Sequence, residues 1–388
     1  MITIQSADAA LKDYYLDAVS EQLNNNISPF FSAIEKNSDS VSGKDVKLAV
    51  VRGYSGSIVA GSEDGDLPSP YKNRYANITV PLKNIYGTIE ISDKAMRASR
   101  ESSGAFVNLI NAEMEGLIAN AKQNFGRMLF GNGSGKLCSI KAKIEGNRYT
   151  VDCAREYFIG MQVDVYTTAG KPVEGYGDLY IVAASVPGNA VTFNREINDL
   201  IVGGEIYVHG AKNNELTGLD AIFSDDPTIY GFNKSEDIYF APHDIRTTDK
   251  VSENAICEII DYMEENRNSK INMIICSFKM RRNIAQLADA NRRVVNTTDM
   301  HGGYGAISIS GIPVYADKFC PDDRIYVLNT DDFALYQLCD WEWLEDEDGK
   351  ILKQIPGKAG YSATLVKYAE LVCRRPCGQA VLKFRESR

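Results

Sequence analysis

The stretch Ser102–Gly131, SSGAFVNLINAEMEGLIANAKQNFGRMLFG, carries the strongest local pattern in this chain. Its apolar residues recur at spacings of three and four, which places them on one face of a helix. Ser102 or Ser103 can cap the start of this helix, and Gly131 ends it. At 1.5 Å per residue, about 26 residues form a rod of roughly 39 Å, a length that suits the spine of a flat, extended molecule. The apolar positions are Val107, Ile110, Met114, Leu117, Ile118, Ala121, Phe125, Met128 and Leu129.

Two β-rich runs precede this helix, and a long glycine- and proline-rich connection separates them. Val46–Val51 and Ile78–Ile91 have strand character. The connection Gly53–Asn77 is much longer than the roughly 12–15 residues that compact domains usually allow for a structureless loop. A long two-stranded arm is also only marginally stable by itself. We therefore expect an arm whose flexible tip is stabilised by another subunit.

The N-terminal segment predicts a short helical arm. Ala7–Leu23 has apolar residues near helical spacing, and Phe30, Phe31 and Ile34 add a second apolar patch. So short a segment cannot bury its apolar face alone, so it needs the rest of the fold or a neighbouring chain.

The chain after the long helix changes character twice. Asn147–His209 contains short β runs separated by glycine and proline turns, which predicts a small barrel or sandwich inserted as a module of its own. After Leu216 an α/β pattern returns, with a helix at Val251–Met263, a strand at Ile271–Cys276 and a second helix that starts after Ser277 and runs to about Ala290. Further strands are predicted at Ala306–Ile309, Ile312–Tyr315, Arg324–Asn329 and within Ala363–Phe384, which returns to the earlier core.

Charge and composition exclude several classes of protein. The net charge is −10, the pI is near 5.0, and Lys and Arg are dispersed, which argues against tight binding of nucleic acid. No apolar run of about 18 residues exists, so we expect no membrane-spanning helix. Met1–Leu16 lacks the features of a secretory signal. The eight cysteines are scattered without the spacing of a disulfide framework, which fits a reducing compartment.

Two short motifs match the sequence patterns of ligand sites only in part. Gly131–Lys136 is similar to a phosphate-binding loop, but Phe130 and Leu137 stand where the motif needs glycine and Ser or Thr. It also follows a helix rather than a strand, so we interpret it as a helix end and a turn. Cys373 and Cys377 supply two of the four ligands of a zinc site, and no second pair lies nearby, so we interpret them as structural thiols.

The remaining candidates for catalysis or metal binding are weaker. His243 beside Asp244, or His301 near Asp299, could serve a hydrolase, but no Ser or Cys lies in a nucleophile-elbow setting, and His209 has no such setting either. The acidic run Glu345–Asp348 lacks the alternating ligands of a calcium loop, which favours a solvated turn. We therefore predict no catalytic residues, no cofactor and no metal, and expect a structural or interaction protein rather than an enzyme.

The order of these parts resembles the major capsid proteins of tailed bacteriophages, which share the Hong Kong 97 fold with encapsulins. The resemblance spans essentially the whole chain. Four stretches carry it, set by glycine placement and strand pattern: Ile89–Ala95 before the long helix, Leu129–Gly135 after it, Leu216–Leu219, and the pair Ser310–Tyr315 and Arg324–Leu328.

The resemblance implies an α+β fold of defined parts. These are an N-terminal arm (1–43), an extended β-hairpin loop (44–91), a peripheral domain with the spine helix (92–146), an all-β insertion domain (147–215), an axial domain (216–348) and return strands (349–388). About 40 residues precede the loop, so a separate scaffolding protein is expected. The resemblance offers no basis for assigning a self-crosslinking site.

The function implied by the resemblance is self-assembly into hexamers and pentamers that form the icosahedral head of a virion. The expected partners are copies of the chain itself, a scaffolding protein, a portal protein, a possible decoration protein and packaged double-stranded DNA that is bound without sequence specificity, with no membrane. Assembly is expected in the cytoplasm of the bacterial host. At the loop tip we predict inter-subunit contacts through Tyr54, Ile58, Leu67 and Tyr71.

Three alternatives stay open at this point. An encapsulin-like compartment would have the same fold but would hold a protein cargo. A soluble hydrolase would use His243 or His301. A tail or decoration protein would assemble into tubes or trimers.

Overall fold

The long helix predicted from the sequence is present and runs from Ser103 to Phe130 in the computed structural model. The structure describes residues 16, 20, 22–23, 27–53, 58, 60–63, 72–94, 103–155, 157–186, 188–197, 202–247, 251–290, 298–299 and 305–384. The chain divides into two compact units. Unit 1 comprises Met1–Gly126 and Ile222–Arg388, and unit 2 comprises Arg127–Ala221. Most of the predicted N-terminal helix Ala7–Leu23 lies outside the described residues.

Capping residues mark the ends of helices among the described residues. The hydroxyl of Ser252 accepts a hydrogen bond from the Ala255 N–H, and Asn268 ends the same helix in the left-handed region, with φ of 46°. The Ser277 hydroxyl likewise accepts from the Met280 N–H, as its predicted capping role requires. No helix among the described residues is long and apolar enough to cross a membrane. The helices are α1 (Pro29–Ala33), α2 (Ser103–Phe130), α3 (Leu219–Phe223), α4 (Glu253–Arg267) and α5 (Phe278–Ala290), with 3-10 turns at Thr330–Asp332 and Pro376–Gly378.

Strands make up most of the regular structure, and they are numbered along the chain. The first eleven are β1 (Glu35–Asn37), β2 (Val41–Ser42), β3 (Asp45–Gly53), β4 (Arg74–Pro81), β5 (Lys83–Ser92), β6 (Lys136–Glu145), β7 (Arg148–Val151), β8 (Val163–Tyr166), β9 (Ile181–Ser185), β10 (Ala190–Phe193) and β11 (Glu205–Val208). The others are β12 (Thr228–Ile229), β13 (Phe232–Asn233), β14 (His243–Thr247), β15 (Met273–Cys276), β16 (Thr298–Asp299), β17 (Gly305–Ile309), β18 (Ile312–Ala316), β19 (Arg324–Leu328), β20 (Phe333–Trp343), β21 (Lys353–Gln354), β22 (Gly360–Cys373) and β23 (Ala380–Phe384).

One sheet of unit 1 lies against α2. It has the order β1-β20-β22-β21, and β5 pairs with β22 in an antiparallel register from Lys83↔Ala369 to Ser92↔Gly360. Aromatic rings link the helix to this sheet: Phe125 of α2 contacts Phe31 at 5.1 Å and Trp341 of β20 at 6.0 Å between ring centroids. These edge-to-face contacts fill the space between the helix and the sheet.

The second large sheet of unit 1 has the order β14-β23-β19-β15-β18-β17-β16. Helices α4 and α5 cover it, because the inner residues of both belong to the same buried cluster as its strands. The chain joins the two large sheets twice, from β19 to β20 and from β22 to β23. The members of the cluster are Val251, Ile256, Ile259, Ile260, Met263, Ile271, Ile274, Cys276, Met280, Ile284, Ile309, Val314, Ile325, Val327, Ala380 and Leu382. Two smaller sheets, β2-β3-β4 and β12-β13, complete the sheets of the described residues in unit 1.

Unit 2 is a six-stranded antiparallel sheet with a core of its own, in the order β8-β11-β6-β7-β10-β9. The sheet starts with β6 at Lys136, earlier than Asn147, where the sequence placed the start of the β module. β6 is missed because it directly follows the turn after α2, yet it lies between β11 and β7. The two ends of unit 2 meet: Arg127 forms a buried bidentate ion pair with Glu215, and Gly218 lies against the carbonyl oxygens of Met128 and Leu129.

Gly126 offers a test of the packing around α2. A methyl group added there would overlap the ring of Phe319, whereas Gly116 of the same helix has open space around it. We expect Gly126→Ala to lower the free energy of unfolding by about 1–3 kcal/mol through overpacking. Gly116→Ala is expected to raise it by about 0.5–1 kcal/mol, because alanine has the higher helix propensity. Chemical denaturation of both variants measures the difference. Equal effects of the two substitutions would contradict the packing described here.

Candidate assembly surfaces

The base of the predicted extended loop is packed within unit 1. In the antiparallel ribbon of β3 and β4, alternate residues such as Val46 and Ile78 are fully buried. Arg52 also pairs with Asp237 at 2.8 Å. The opposite face of the ribbon is open to solvent, with Tyr75 61% exposed. The ribbon of β3 and β4 is therefore anchored on one face, and its other face is exposed among the described residues.

The predicted tip contacts fall mostly outside the described residues. Tyr54, Leu67 and Tyr71 cannot be placed for this reason. Ile58 is described, and its side chain is 100% exposed. A large aliphatic side chain in water gains on the order of 1.5–3 kcal/mol when a partner buries it fully. The role of all four residues in contacts between subunits stays a prediction.

A second open surface is the edge of the sheet at β5. Among the described residues, this ten-residue strand has a partner strand on one side only, where it pairs with β22. Its outward face carries Tyr86, 58% exposed and in edge contact with Tyr368, and Thr88 beside Thr364. A long, flat edge strand readily pairs with another chain, so proteins generally keep such edges covered.

The motifs that partly matched ligand sites have structural roles. In the segment Gly131–Lys136 the side-chain Oδ1 of Asn132 accepts a hydrogen bond from the Ser134 N–H at 3.1 Å, which forms a tight turn between α2 and β6. Burial raises the pKa of the Cys373 and Cys377 thiols and so disfavours the thiolate that metal binding requires. The acidic run Glu345–Asp348 lies in an exposed turn that is closed by a hydrogen bond from the Asp346 N–H to the Lys350 carbonyl.

Two of the three histidines, His209 and His243, lie among the described residues, in separate settings. His209 contacts Asp164 at 2.8 Å on the surface, and His243 stacks on Tyr262 with ring centroids 4.1 Å apart. His301 lies outside the described residues. No group of three or more His, Cys, Asp or Glu side chains within the described ranges could hold a metal ion.

Lys367 of β22 is a buried charge that sequence reasoning missed. Its ammonium group lies 2.6 Å from the Asp340 carboxylate and 2.8 Å from the Gln337 amide oxygen, and its side chain is fully buried. Burial lowers the pKa of this ammonium, and the nearby Asp340 charge opposes that shift. A register irregularity in β20 between Cys339 and Glu342 accommodates the lysine. A buried charge with matched partners adds little net stability, because its desolvation offsets the attraction, whereas removal of one partner is strongly destabilising.

Two segments of the chain connect the large sheets of unit 1: one runs from β19 to β20 and the other from β22 to β23. Asp332 lies where these two crossings meet. Its carboxylate accepts a hydrogen bond from the side-chain Nε2 of Gln379 at 2.9 Å, and the side-chain Oε1 of Gln379 accepts from the Asn329 N–H at 3.0 Å. Burial raises the pKa of Asp332 to about 6, although Arg375 opposes the shift. This carboxyl therefore holds a proton more tightly in the folded chain than in the unfolded one.

Comparison with solved structures identifies the fold of this chain. No protein-family model and no curated protein matches this chain. A chain of the Cyanophage A-1(L) capsid asymmetric unit matches with a TM-score of 0.53 at 12% identity, over 92% of each chain. The capsid of an empty GTA particle matches at 0.49 and 10%, over 91% of this chain and 88% of the other. The holo encapsulin complex from Synechococcus elongatus matches at 0.46 and 10%, over 94% and 92%.

This chain has a phage-capsid fold. Of the three comparisons, the cyanophage chain alone has a TM-score above 0.5, so the fold assignment rests on it. The predicted fold class, a mixed α+β fold that resembles tailed-phage capsid proteins, is confirmed at this level. At 12% identity the match establishes the fold alone.

The sequence therefore predicts only some of the features that the structure shows. The extended loop is predicted from its length and glycine content, which are visible along the chain, and the structure shows the β3–β4 ribbon at its base. The edge position of β5 and the burial of Lys367 depend on the pairing of β22 with β5 and with β20, and β5 lies far from β22 in sequence. A lysine beside apolar residues in a strand is a weak signal, because such residues usually point to solvent.

The proton on Asp332 gives a pH-dependent test. Its pKa is raised from 3.8 in the unfolded chain to about 6. The stabilisation that the proton supplies is full below pH 3.8 and is lost as the pH rises through 6. We expect Asp332→Asn to raise the free energy of unfolding at pH 8 by on the order of 2 kcal/mol and to have little effect near pH 4.

Denaturant melts at both pH values measure this gain. Glu347→Gln, which removes one charge from the exposed acidic turn, is the control and should show no such dependence. A gain for Asp332→Asn that is the same at both pH values would contradict the raised pKa.

Proposed function

We propose that this protein is the major capsid protein of a tailed bacteriophage, a subunit with the Hong Kong 97 fold that forms an icosahedral shell. The observation that carries the proposal is the match to a cyanophage capsid chain over 92% of both chains. The two open surfaces, the loop with Ile58 and the edge of β5, support it, because a subunit that is completed by its neighbours must present such surfaces. In this function the protein binds copies of itself and catalyses no reaction.

Each described part has a place in this proposal. Helix α2 is the spine helix, and with the sheet that contains β5, β20 and β22 it forms the peripheral domain. The seven-stranded sheet with α4 and α5 is the axial domain. Unit 2 is the insertion domain: its two ends are tied together by the Arg127–Glu215 pair, as expected of a module inserted between two neighbouring points of a host fold.

Shell formation would follow from many modest contacts per subunit. The arm, the loop and the axial domain each supply a weak interface, and multivalency makes the closed shell stable. Hexamers and pentamers would tile the head around double-stranded DNA, which the net charge of −10 leaves free of tight binding. A scaffolding protein, a portal protein and a possible decoration protein would complete the virion, which would be assembled in the host cytoplasm.

Negative-stain microscopy of the purified protein tests this function. The chain should be expressed alone and together with a candidate scaffolding protein, and closed icosahedral particles are expected. Nuclease-protected DNA in particles from an infection would support the phage capsid, whereas a bound protein cargo would indicate an encapsulin-like compartment. Only tubes or trimers under every condition would disprove the proposal.

The loop tip should be required for closure and not for folding. We expect Ile58→Asp to leave the melting temperature unchanged, because the side chain is fully exposed, and to reduce shell yield at least about tenfold, because each subunit would lose an anchor. Deletion of Ser57–Tyr71 should give folded subunits or capsomers that do not close. Particle counts by microscopy and thermal melts measure the two effects.

Ile159→Asp is the matched control for the loop tip, since Ile159 is 76% exposed but lies in unit 2. It should assemble as the parent does. Normal shells from Ile58→Asp or from the deletion would show that the tip contacts no neighbour.

A further inference from the structure

The outer face of α4 is a stripe of carboxylates. Glu258, Asp261 and Glu265 are spaced by three and four residues, so they lie along one face, with Glu264 beside them, and all four are exposed. Within the described part of the chain, none of these four carboxylates pairs with a cation. Like charges at this spacing destabilise an isolated helix. The buried face of α4, with Ile256 and Met263, holds the helix on its sheet in spite of that repulsion.

The start of α5 carries the opposite charge. Lys279 and Arg282 are exposed and Arg281 is partly exposed, and none of the three pairs with a carboxylate among the described residues. The Arg281 guanidinium lies 5.3 Å from the ring centroid of Phe278, whose side chain is 42% exposed. This basic patch therefore has an aromatic ring at its centre, a composition enriched at protein interfaces.

The two surfaces are held rigidly on one scaffold. Met280 and Ile284 of α5 belong to the same buried cluster as Ile256 and Met263 of α4, so both helices are fixed on the seven-stranded sheet by their inner faces. Each outer face is complementary in charge to the other, and among the described side chains no ion pair joins them. A rigid molecule that carries two complementary patches can satisfy them by binding a second copy of itself.

We propose that the acidic stripe of α4 on one copy docks against the basic patch of α5 on the next copy, which makes this the contact that forms the ring of a capsomer. The inference rests on the proposed function and deepens it by naming the surfaces in contact. A contact between two different patches of the same molecule is heterologous, and such contacts close into rings when the rotation between copies allows it. With a net charge of −10 the copies repel one another, so locally opposite charges are needed to set their orientation.

A second copy suits these patches better than nucleic acid does. A nucleic acid would be attracted by the three cations of α5 but repelled by the four carboxylates of α4 on the same scaffold and by the net charge. A neighbouring copy would satisfy both patches at once. The ion pairs would lie at the rim of the contact, with Phe278 covered at its centre, so added salt should weaken the ring, because exposed charges are screened within about 10 Å at 0.1 M salt.

Charge reversal tests the contact. The α4-reversed variant carries Glu258→Lys, Asp261→Lys and Glu265→Lys, and the α5-reversed variant carries Lys279→Glu, Arg281→Glu and Arg282→Glu. Each alone should raise the concentration needed for assembly at least about tenfold, because the repulsion recurs at every contact of the ring. A chain with all six substitutions should assemble as the parent does. A control with Glu345→Lys, Glu347→Lys and Asp348→Lys changes the net charge as α4-reversal does, at an exposed turn, and should assemble normally.

Mixing the two reversed variants gives a sharper test. Contacts between unlike variants would again join opposite charges, so an equal mixture should form rings in which the two alternate. Only rings with an even number of copies can alternate fully, and a pentamer must contain one mismatched contact. The mixture should therefore form hexamers and few pentamers, with open sheets or tubes in place of closed shells. Native mass spectrometry counts the copies, and microscopy shows the assemblies.

The outcomes separate this inference from the proposed function. If the parent protein never forms capsomers or shells, the proposed function fails. If the parent assembles and both reversed variants assemble at the same concentration, or if the six-substitution chain does not recover, the α4–α5 contact is wrong. Thermal melts of each variant check folding. Should a reversal lower the melting temperature, the milder set Glu258→Gln, Asp261→Asn and Glu265→Gln replaces it. Parental assembly with unchanged salt dependence from that set would equally overturn the contact.

Discussion

The pairing of β5 with β22 is the constraint on which the rest of unit 1 depends. Ten residues of β5 pair with the first ten of β22, and the two strands are separated in the chain by α2, all of unit 2 and most of the seven-stranded sheet. Closing so long a loop costs conformational entropy, which only the full length of the strand pair and the burial beneath α2 can offset. Once it is formed, β22 leads directly through a 3-10 turn into β23, so the segment Gly360–Phe384 takes part in both large sheets.

Polar groups at the two crossings determine how these sheets join. Gln379 is fully buried and bridges Asn329 and Asp332, so the crossing from β19 to β20 and the crossing from β22 to β23 share hydrogen bonds. Lys367 has a related role within the first sheet, where Gln337 and Asp340 satisfy it. An unsatisfied polar group in these positions would cost more than the bonds gain, so the networks favour one register over others.

The function proposed for this protein uses its outer surfaces. The features that distinguish it are an exposed loop residue, a free strand edge and complementary charges on two neighbouring helices. Each is individually weak, and surface ion pairs are commonly worth less than about 1 kcal/mol. Repetition around a ring and over a shell is what would turn such contacts into a stable structure.

The sequence by itself determined the elements whose pattern is local. Helix α2, β18 and β19 were each predicted to within one residue, because helical spacing, strand pattern and turn residues are visible in a short window. The α+β class and the resemblance to phage capsids followed from the order of such elements. The tertiary structure decided the partners of β5, the inclusion of β6 in the sheet of unit 2 and the burial of Lys367. It also placed the charges of α4 and α5 on one scaffold. The physical reason is that strand pairing and burial depend on residues far away along the chain, whereas helix periodicity and capping depend on neighbours.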